Sequence, residues 1–395
     1  MRIKVGYVYA VVGAGRQGTA AAYDMIKFGN AEKVIIGDIN LKNAKIAADR
    51  INSLLNVNKV EAMKVDVRKQ KSLIKLLNGV DSFLSSVPYY YNLDIAKVAI
   101  KVGANMCDLG GNTDQVKEQL KLDSLAKEAD ISIVPDCGQV PGMGTSLCIY
   151  AMSLLDTPKE VYMWDGGLPQ NPRPPFNYLL TFNIEGLSNE YAEPTTFLRN
   201  GKLIEIQPFE ELEEIYFPEP IGKLEAFTTG GGTSTAPWTF KGKLDVYQNK
   251  TVRYPGHFSQ LRAFWDLGLF NLNPINIEDK EVIPRHVLHA LFEPKVTFLG
   301  DEDLVVIRVK CLGLKDGKSS EVILELIDYY DETTGFTAME RTTGWDASIV
   351  AIMMAQEKVK KGANPVELAI PGDYFIQELR NRGFSIKVSL NKLES

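Results

Sequence analysis

Short apolar runs alternate with longer amphipathic stretches from residue 5 to about residue 136. Runs such as VYAVV and ISIV are apolar without a break, as strands buried on both faces of a parallel sheet should be. The pattern predicts strands at Tyr7–Val12, Lys33–Asp38, Glu61–Val65, Ser82–Val87, Asn105–Leu109 and Ile131–Pro135. The helical period predicts helices between them at Gly15–Phe28, Leu41–Leu55, Gln70–Leu77, Leu93–Val102 and Thr113–Ala129. Strands alternating with helices in this way point to an α/β fold with a doubly wound parallel sheet.

The pattern changes after Pro141. One apolar helix, Gly142–Leu155, leads into a region rich in Thr, Tyr, Phe, Gly and Pro. Strands are predicted there at Glu160–Trp164, Leu179–Asn183, Thr195–Leu198, Leu203–Ile206, Gly222–Phe227, Lys243–Val246, Leu304–Leu312 and Glu321–Tyr329. Asn200-Gly201 and Asp316-Gly317 are hairpin signals. A second α+β domain with a mixed or antiparallel sheet is therefore expected over residues 137–343, after a first domain over 1–136. A helix over 344–361, closed by Gly362, is expected to return to the first domain with the C-terminal segment and complete it. The last ten or so residues read as frayed.

Composition narrows the function classes. Hydrophobic residues make up 45% and charged residues 24% of the 395 positions, the balance of a globular chain with room for two domains. A net charge of −6 argues against a nucleic-acid partner. No apolar run approaches the length of a membrane span, and the N-terminus lacks a signal-peptide pattern. Cys107, Cys137, Cys148 and Cys311 are scattered without a CxxC pair, so reduced thiols, a cytoplasmic location and no metal site are expected.

GAGRQG, from Gly13 to Gly18, follows the first strand and opens the first helix, the context that turns a weak motif into a dinucleotide fingerprint of the Rossmann type. Gly13 permits the tight turn, Gly15 lets backbone approach the pyrophosphate, and Gly18 lets helix pack on strand. Arg16 and Gln17 lie inside the turn, Arg16 toward the pyrophosphate. Asp38 ends the second strand where an acid accepts from the adenosine ribose hydroxyls, which favours NAD over NADP. Later strand ends face the same crevice. Asp66 and Val67 would flank the adenine, although a helix cap explains Asp66 equally well. Ser85, Ser86, Val87 and Pro88 would border the nicotinamide ribose, with Gly110 beyond them.

Longer motifs carry a resemblance. GAGRQG, SSVPYYYN (85–92), CDLGGN (107–112), PDCGQVPGMG (135–144) and WDGGLPQNP (164–172) are followed by EPTTFLRNGK (193–202), VRYPGHF (252–258) and ERTTGWDA (340–347). In that order the chain resembles the saccharopine dehydrogenase family, and within it the lysine 6-dehydrogenase branch. The resemblance implies a Rossmann domain, a substrate domain used also for dimerisation into a homodimer or larger homo-oligomer, and an amino-acid substrate. The activity it implies is NAD-dependent oxidative deamination of the lysine ε-amine, giving the semialdehyde, which cyclises to piperideine-6-carboxylate, with ammonia and NADH. The stretch TTGGGTSTAPW (228–238) departs from that branch in its glycine content. Saccharopine- and carboxynorspermidine-type reductases, which condense an aldehyde with an amine, share the scaffold. A catalytically inactive NAD-binding sensor is the alternative of another class.

Hydride leaves an amine-bearing carbon only when the nitrogen lone pair is free. Presenting a lysine-type amine neutral at pH 7 costs about 4.6 kcal/mol, so an acceptor or a desolvating pocket is expected. Asp108, at the end of the fifth strand, is the first candidate to orient the amine. Tyr89 and Tyr90 are candidates to contact substrate or relay a proton, with at least one tyrosine of 89–91 serving as packing. Cys137 is read either as pocket lining or as a buried structural thiol. A substrate carboxylate calls for a guanidinium; Arg253 leads, with Arg173 and Arg341 behind it, and His257 lies in the same segment. His286 and His289 lack a third ligand and are read as helix-surface residues.

Overall fold

The computed structural model describes residues 6–393. Contacts divide the chain into two compact units. The first comprises Met1–Tyr150, Glu332–Phe336 and Glu340–Arg382, and the second Ala151–Asp331, Thr337–Met339 and Gly383–Ser395. The first unit thus runs past the expected boundary at 136, because the helix Met143–Ser153 begins inside it.

In the first unit, strands β1 (Tyr7–Val12), β2 (Ala31–Asp38), β3 (Val60–Lys64), β4 (Ser82–Ser85), β5 (Asn105–Asp108) and β6 (Ser132–Val134) alternate with helices. Helices α1 (Arg16–Phe28), α2 (Leu41–Leu55), α3 (Gln70–Leu77) and α4 (Asn92–Val102) lie where the periodicity puts them. The expected helix 113–129 is two, Thr113–Leu120 and Asp123–Glu128. The sheet is seven-stranded and parallel throughout, because Gly362–Ala363 pairs with β6 as an edge strand. Its order is Gly362–Ala363, β6, β5, β4, β1, β2, β3, so the direction of winding reverses between β1 and β4. Ligands of doubly wound sheets bind outside the carboxyl ends of the strands at such a reversal.

A helical stretch over 338–355 completes this unit from Glu340 onward. It consists of Ala338–Glu340, a π-helical turn Arg341–Trp345 and Asp346–Ala355, and it ends earlier than the expected 361. Residues 346–354 are all buried, as a helix apolar on every side requires. The stretch rests on α1, where Gly344 is obligatory: a Cβ there would lie 2.7 Å from the Gln17 carbonyl oxygen and 2.9 Å from Ala20 Cβ. Asp24 and Arg382, both fully buried, pair at 2.8 Å.

The second unit holds a nine-stranded mixed sheet. Its strands are β7 (Thr157–Pro169), β8 (Thr195–Arg199), β9 (Lys202–Ile206), β10 (Glu213–Tyr216), β11 (Lys223–Phe227), β12 (Val246–Arg253) and three later ones: Asp303–Lys315, Lys318–Tyr329 and Ile386–Lys392. β7 pairs parallel with β12, while its other neighbour, Asp303–Lys315, runs antiparallel. Asn200-Gly201 and Asp316-Gly317 both take positive φ, closing the two predicted hairpins with the backbone that tight two-residue turns demand.

Three expectations fail here. Of the expected strand Lys243–Val246 only Val246 is in a strand, the residues before it forming the turn into β12. Residues 179–183 form no strand; Leu179 and Leu180 are buried from an irregular segment, packing without a ladder. The final residues are not frayed, since Ile386–Lys392 pairs with Lys318–Tyr329 over seven residues. Residues 394–395 of that tail lie outside the described chain. The departing stretch 228–238 is almost wholly buried, and two of its three glycines are packing requirements, while Gly231 has open space at its Cβ position and φ +85°. A Cβ at Gly232 would lie 2.0 Å from Asn249 Oδ1, and one at Gly230 2.6 Å from the Glu193 carbonyl oxygen.

Candidate functional site

The glycine turn is built as three positions with three different surroundings. Gly13 has φ +108°, and a Cβ there would meet the Ser86 carbonyl oxygen at 2.7 Å. A Cβ at Gly18 would lie 2.1 Å from the Gly13 carbonyl oxygen. Gly15 is different: nothing stands within 4 Å of its Cβ position, and it is exposed. Two glycines therefore close the turn against the protein, and the third opens it outward, ahead of the N-terminus of α1. No acidic residue occupies the first turn of α1 and no side chain caps it, so its N–H groups and positive dipole end stay available to an anion.

Asp38 braces the turn from β2. Its Oδ2 accepts from Ala14 N at 2.9 Å and its Oδ1 from Asn40 N at 2.7 Å. Ser86 braces it from β4, its hydroxyl placed between the carbonyl oxygens of Val12 (3.0 Å) and Gly13 (2.9 Å). Arg16 projects from the turn, half-exposed, with Nε donating to Glu340 Oε1 at 3.0 Å. Both amide atoms of Gln17 are buried without a hydrogen-bond partner among the described residues. An open Gly15, an uncapped helix terminus and an unsatisfied Gln17 amide together form a cradle that fits a dinucleotide pyrophosphate.

Other residues expected to face the cofactor are engaged elsewhere. Ser85 is buried, with its hydroxyl 2.8 Å from Asn92 Oδ1. Asp66 is grasped by Arg68, Nε to Oδ1 at 2.9 Å and Nη2 to Oδ2 at 3.1 Å; that pairing holds its carboxyl down at about 2. Asp66 does not cap α3, whose N-cap is Lys69; its carboxylate braces the local turn through Arg68. Val67 and Val87 are half-buried and pack against the first unit's core, while Pro88 is exposed.

A second cluster gathers at the ends of β5 and β6. Asp108 is wholly buried. Its Oδ1 accepts from Gly110 N at 2.8 Å and its Oδ2 from Gln119 Nε2 at 2.7 Å. Burial raises its pKa, and these hydrogen bonds counter the rise. In this structure Asp108 lies beneath the Gly110–Gly111 loop, and its hydrogen bonds shape that loop. Gly110 is held at φ +72°, where a Cβ would lie 2.0 Å from Asp136 Oδ1. Cys137 is also wholly buried, its thiol directed to the Val134 carbonyl at 3.4 Å. Burial, then the neighbouring Cys107, keeps that thiol well above its ordinary pKa. Of the two readings for Cys137, the structural thiol is the one its burial fits.

Tyr89, half-buried, lies against Gly111, 3.3 Å from the Cβ position there. Tyr90 is 56% exposed and packs edge-on against Tyr89. Arg341 lies over the Trp345 ring at 4.7 Å. Sequence reasoning took only Arg341 from ERTTGWDA and missed two carboxyls in it. Glu340 is nearly buried against Arg16. Asp346 is wholly buried with neither oxygen hydrogen-bonded, and burial holds its pKa well above the carboxylate range. The available signal was two acids on either side of the RTTGW turn: Glu340 just before it and Asp346 at the head of the mostly apolar segment 346–355.

In the second unit Arg253 and His257 share one partner, Tyr191. Arg253 donates from Nε to Tyr191 Oη (3.0 Å), from Nη1 to the Val252 carbonyl (3.0 Å) and from Nη2 to Glu190 Oε1 (3.3 Å). Burial works against its charge, and Tyr191, Glu190 and Tyr178 more than offset that. His257 lies with Nε2 2.9 Å from Tyr191 Oη and Nδ1 3.2 Å from the Phe176 carbonyl oxygen. Burial, then Arg253, pulls its pKa down to about 3, so the ring is neutral. In this structure the carboxylate beside the Arg253 guanidinium is Glu190, and Arg253 is 3% exposed. Arg173 forms an exposed ion pair with Asp301 at 2.7 Å. His289 pairs with Ser188 at 2.7 Å, and no group of three or more metal-ligating side chains occurs among the described residues. No helix among them is long and apolar enough to cross a membrane.

Comparison with known proteins finds two family domains in order, the second also covering residues 340–382, which the contacts group with the first unit. Residues 9–134 match the saccharopine dehydrogenase NADP binding domain, and residues 138–384 match the saccharopine dehydrogenase C-terminal domain. The mitochondrial alpha-aminoadipic semialdehyde synthase of Mus musculus is 25% identical over 244 residues, 57% of this chain and 26% of that protein. A saccharopine dehydrogenase [NADP(+), L-glutamate-forming] of Schizosaccharomyces pombe is 26% identical over 223 residues, 53% of this chain and 48% of that one. The chain thus spans between about a quarter and a half of the length of these relatives. Among solved structures, the saccharopine dehydrogenase (L-Glu forming) of Saccharomyces cerevisiae shares the fold with a TM-score of 0.77 at 17% identity, covering 98% of this chain and all of that one. A homospermidine synthase from Legionella pneumophila in complex with NAD has a TM-score of 0.67 at 11% identity, covering 98% of this chain and 93% of that one. With both family domains matched in order over nearly its whole length, the chain belongs to the saccharopine dehydrogenase family.

Proposed function

We propose that this protein is an NAD-dependent oxidoreductase acting on an amine-bearing carbon of an amino acid, with the ε-amine of L-lysine as substrate. The observation that carries the reading is the open Gly15 cradle braced by Asp38. Each Asp38 oxygen accepts one backbone N–H, which leaves lone pairs for ribose hydroxyls and a negative charge that repels a 2′-phosphate. The matching domain is named for NADP, as is the Schizosaccharomyces relative, so Asp38 is the residue on which the preference for NAD rests.

Bound NAD supplies the hydride acceptor. The substrate's carbon–hydrogen pair leaves as hydride while the nitrogen lone pair forms the C=N bond. Water then replaces the nitrogen, releasing ammonia and the aldehyde. For the chain's own residues, the Asp108–Gly110 brace fixes the loop beside Tyr89, and Tyr89 and Tyr90 take the contact with the amine. The chain acts as a homodimer or larger homo-oligomer in this reading. The alternative within this class is a reductase condensing an aldehyde with an amine; the relatives themselves are named as glutamate-forming saccharopine dehydrogenases.

One assay separates these readings: NADH absorbance followed with lysine, ornithine, saccharopine and diamines, and the reverse with aldehyde plus amine. Lysine-dependent NADH formation is expected. Turnover confined to aldehyde plus glutamate replaces this reading with the reductase, and silence in both directions leaves the sensor. Asp38→Ala is expected to weaken NAD binding and relax discrimination against NADP, and unchanged affinities for both defeat the ribose assignment.

A further inference from the structure

Arg16 and Glu340 are unequal partners. The arginine side chain is 54% exposed and the glutamate 6%. Glu340 stands at the start of the π-helical turn, and four residues on Gly344 is pressed against the backbone of Gln17 and Ala21. The carboxylate is therefore the fixed member, held by a helix seated on α1, and the arginine is the member that reaches outward. The single hydrogen bond between them uses Nε at 3.0 Å. That leaves four Nη–H donors of a planar fork outside any hydrogen bond among the described residues. No acid in the first turn of α1 competes for them. A guanidinium gripped by Nε and free at both Nη groups is arranged for bidentate capture of a phosphate. It emerges between Gly15, whose outward side is open, and Gln17, whose amide is unsatisfied.

We propose that Glu340 is a positioning residue for the dinucleotide's pyrophosphate: it holds Arg16 by Nε so that both Nη groups face the diphosphate above the glycine turn. This rests on the dinucleotide reading given above. Glu340 lies more than three hundred positions from the turn in sequence, and it touches the ligand only through Arg16.

Equilibrium binding tests it with three ligands: ADP-ribose, adenosine, and ADP-ribose carrying a 2′-phosphate. Removing a hydrogen bond to a charged group predicts that Glu340→Ala weakens ADP-ribose about tenfold and leaves adenosine unchanged. Glu340→Gln keeps an oxygen for Nε and is expected within about twofold of the wild type. Arg16→Ala weakens ADP-ribose at least as much as Glu340→Ala, and adding Glu340→Ala to it costs nothing more. A role in the fold alone would instead weaken adenosine and ADP-ribose together, with no rescue by glutamine. The proposal is overturned if Glu340→Ala binds ADP-ribose like the wild type, or if its loss persists without Arg16. A larger loss for the 2′-phosphorylated ligand than for ADP-ribose also overturns it, since Arg16 would then serve that phosphate. Should Glu340→Ala not fold, Arg16→Lys carries the test: lysine keeps the charge without the fork, and unchanged ADP-ribose affinity refutes the proposal. Failure of the wild type to bind ADP-ribose sinks the dinucleotide reading itself; binding that ignores Glu340 sinks only this inference.

Discussion

Arg16 and Arg253 are the two arginines that the sequence marks most strongly, and they meet opposite fates. Arg16 makes one hydrogen bond and is half-exposed beside an open glycine. Arg253 makes three, is almost wholly buried, and is neutralised by Glu190 inside an aromatic cluster. The same chemistry thus reaches outward in the first unit and is folded inward in the second. What separates a binding group from a scaffold group is whether its donors are already spent.

The largest effect that would break this contrast comes from Arg253. Arg253→Ala leaves Glu190 buried without its cation and should cost about 3–5 kcal/mol in chemical denaturation. Folded Arg253→Ala protein should bind NAD as the wild type does. A small loss of stability together with a large rise in KM for substrate would return Arg253 to the substrate site.

The glycine turn offers a sharper test. Gly18→Ala drives a Cβ into the Gly13 carbonyl and should lower stability by roughly 1–3 kcal/mol, with dinucleotide binding lost alongside. Gly15→Ala meets no atom of the protein, so its melting temperature should match the wild type while dinucleotide affinity falls. Equal behaviour of the two variants would mean that Gly15 does not face the ligand.

The units should also respond to opposite ends of the pH scale. His257 is neutral in the fold, with its pKa lowered from 6.5 to about 3. The unfolded chain therefore binds the extra proton, and the second unit loses stability as pH falls through that window, by up to about 1.4 kcal/mol per unit. Asp346 has the contrary sign. Its folded pKa is raised, so the penalty is absent below the ordinary carboxylate range and grows as pH rises toward the folded value. His257→Gln should flatten the acid slope and Asp346→Asn the alkaline one. Denaturation profiles that keep both slopes in these variants would remove both assignments. The smallest effect belongs to Arg173→Ala, an exposed pair worth about 0–1 kcal/mol; a larger change in KM than in stability would restore it as a carboxylate ligand.

Much of the first unit was legible because a buried parallel strand writes its whole length as an apolar run and the next helix writes its period. α2 and α3 begin and end at the residues the pattern gave. The edge strand Gly362–Ala363 was not legible, since two residues carry no period. Nor was the π-helical turn at Arg341–Trp345, which has no composition of its own. Leu179–Asn183 misled because burial without pairing looks like a strand from sequence alone. In the site, Gly13, Gly15, Gly18 and Asp38 were readable as a motif because all four fall within one βαβ unit, although Ser86, against which Gly13 and Gly18 pack, comes from the end of β4. Asp108, Cys137, Arg253 and His257 were readable as chemistry and not as roles. Burial closes off Cys137, and the partners that occupy Arg253 and His257 lie more than sixty positions away.

The helical stretch over 338–355 has a consequence for how the molecule is made. Its segment Asp346–Ala355 packs on β4 and β5, which are translated some 240 residues earlier. A nascent chain emerging from the ribosome therefore carries β4 and β5 without this cover until Asp346–Ala355 is synthesised. Throughout the whole of the second unit's synthesis that surface must be shielded from other chains, so a chaperone has its longest work at the N-terminal end of this protein.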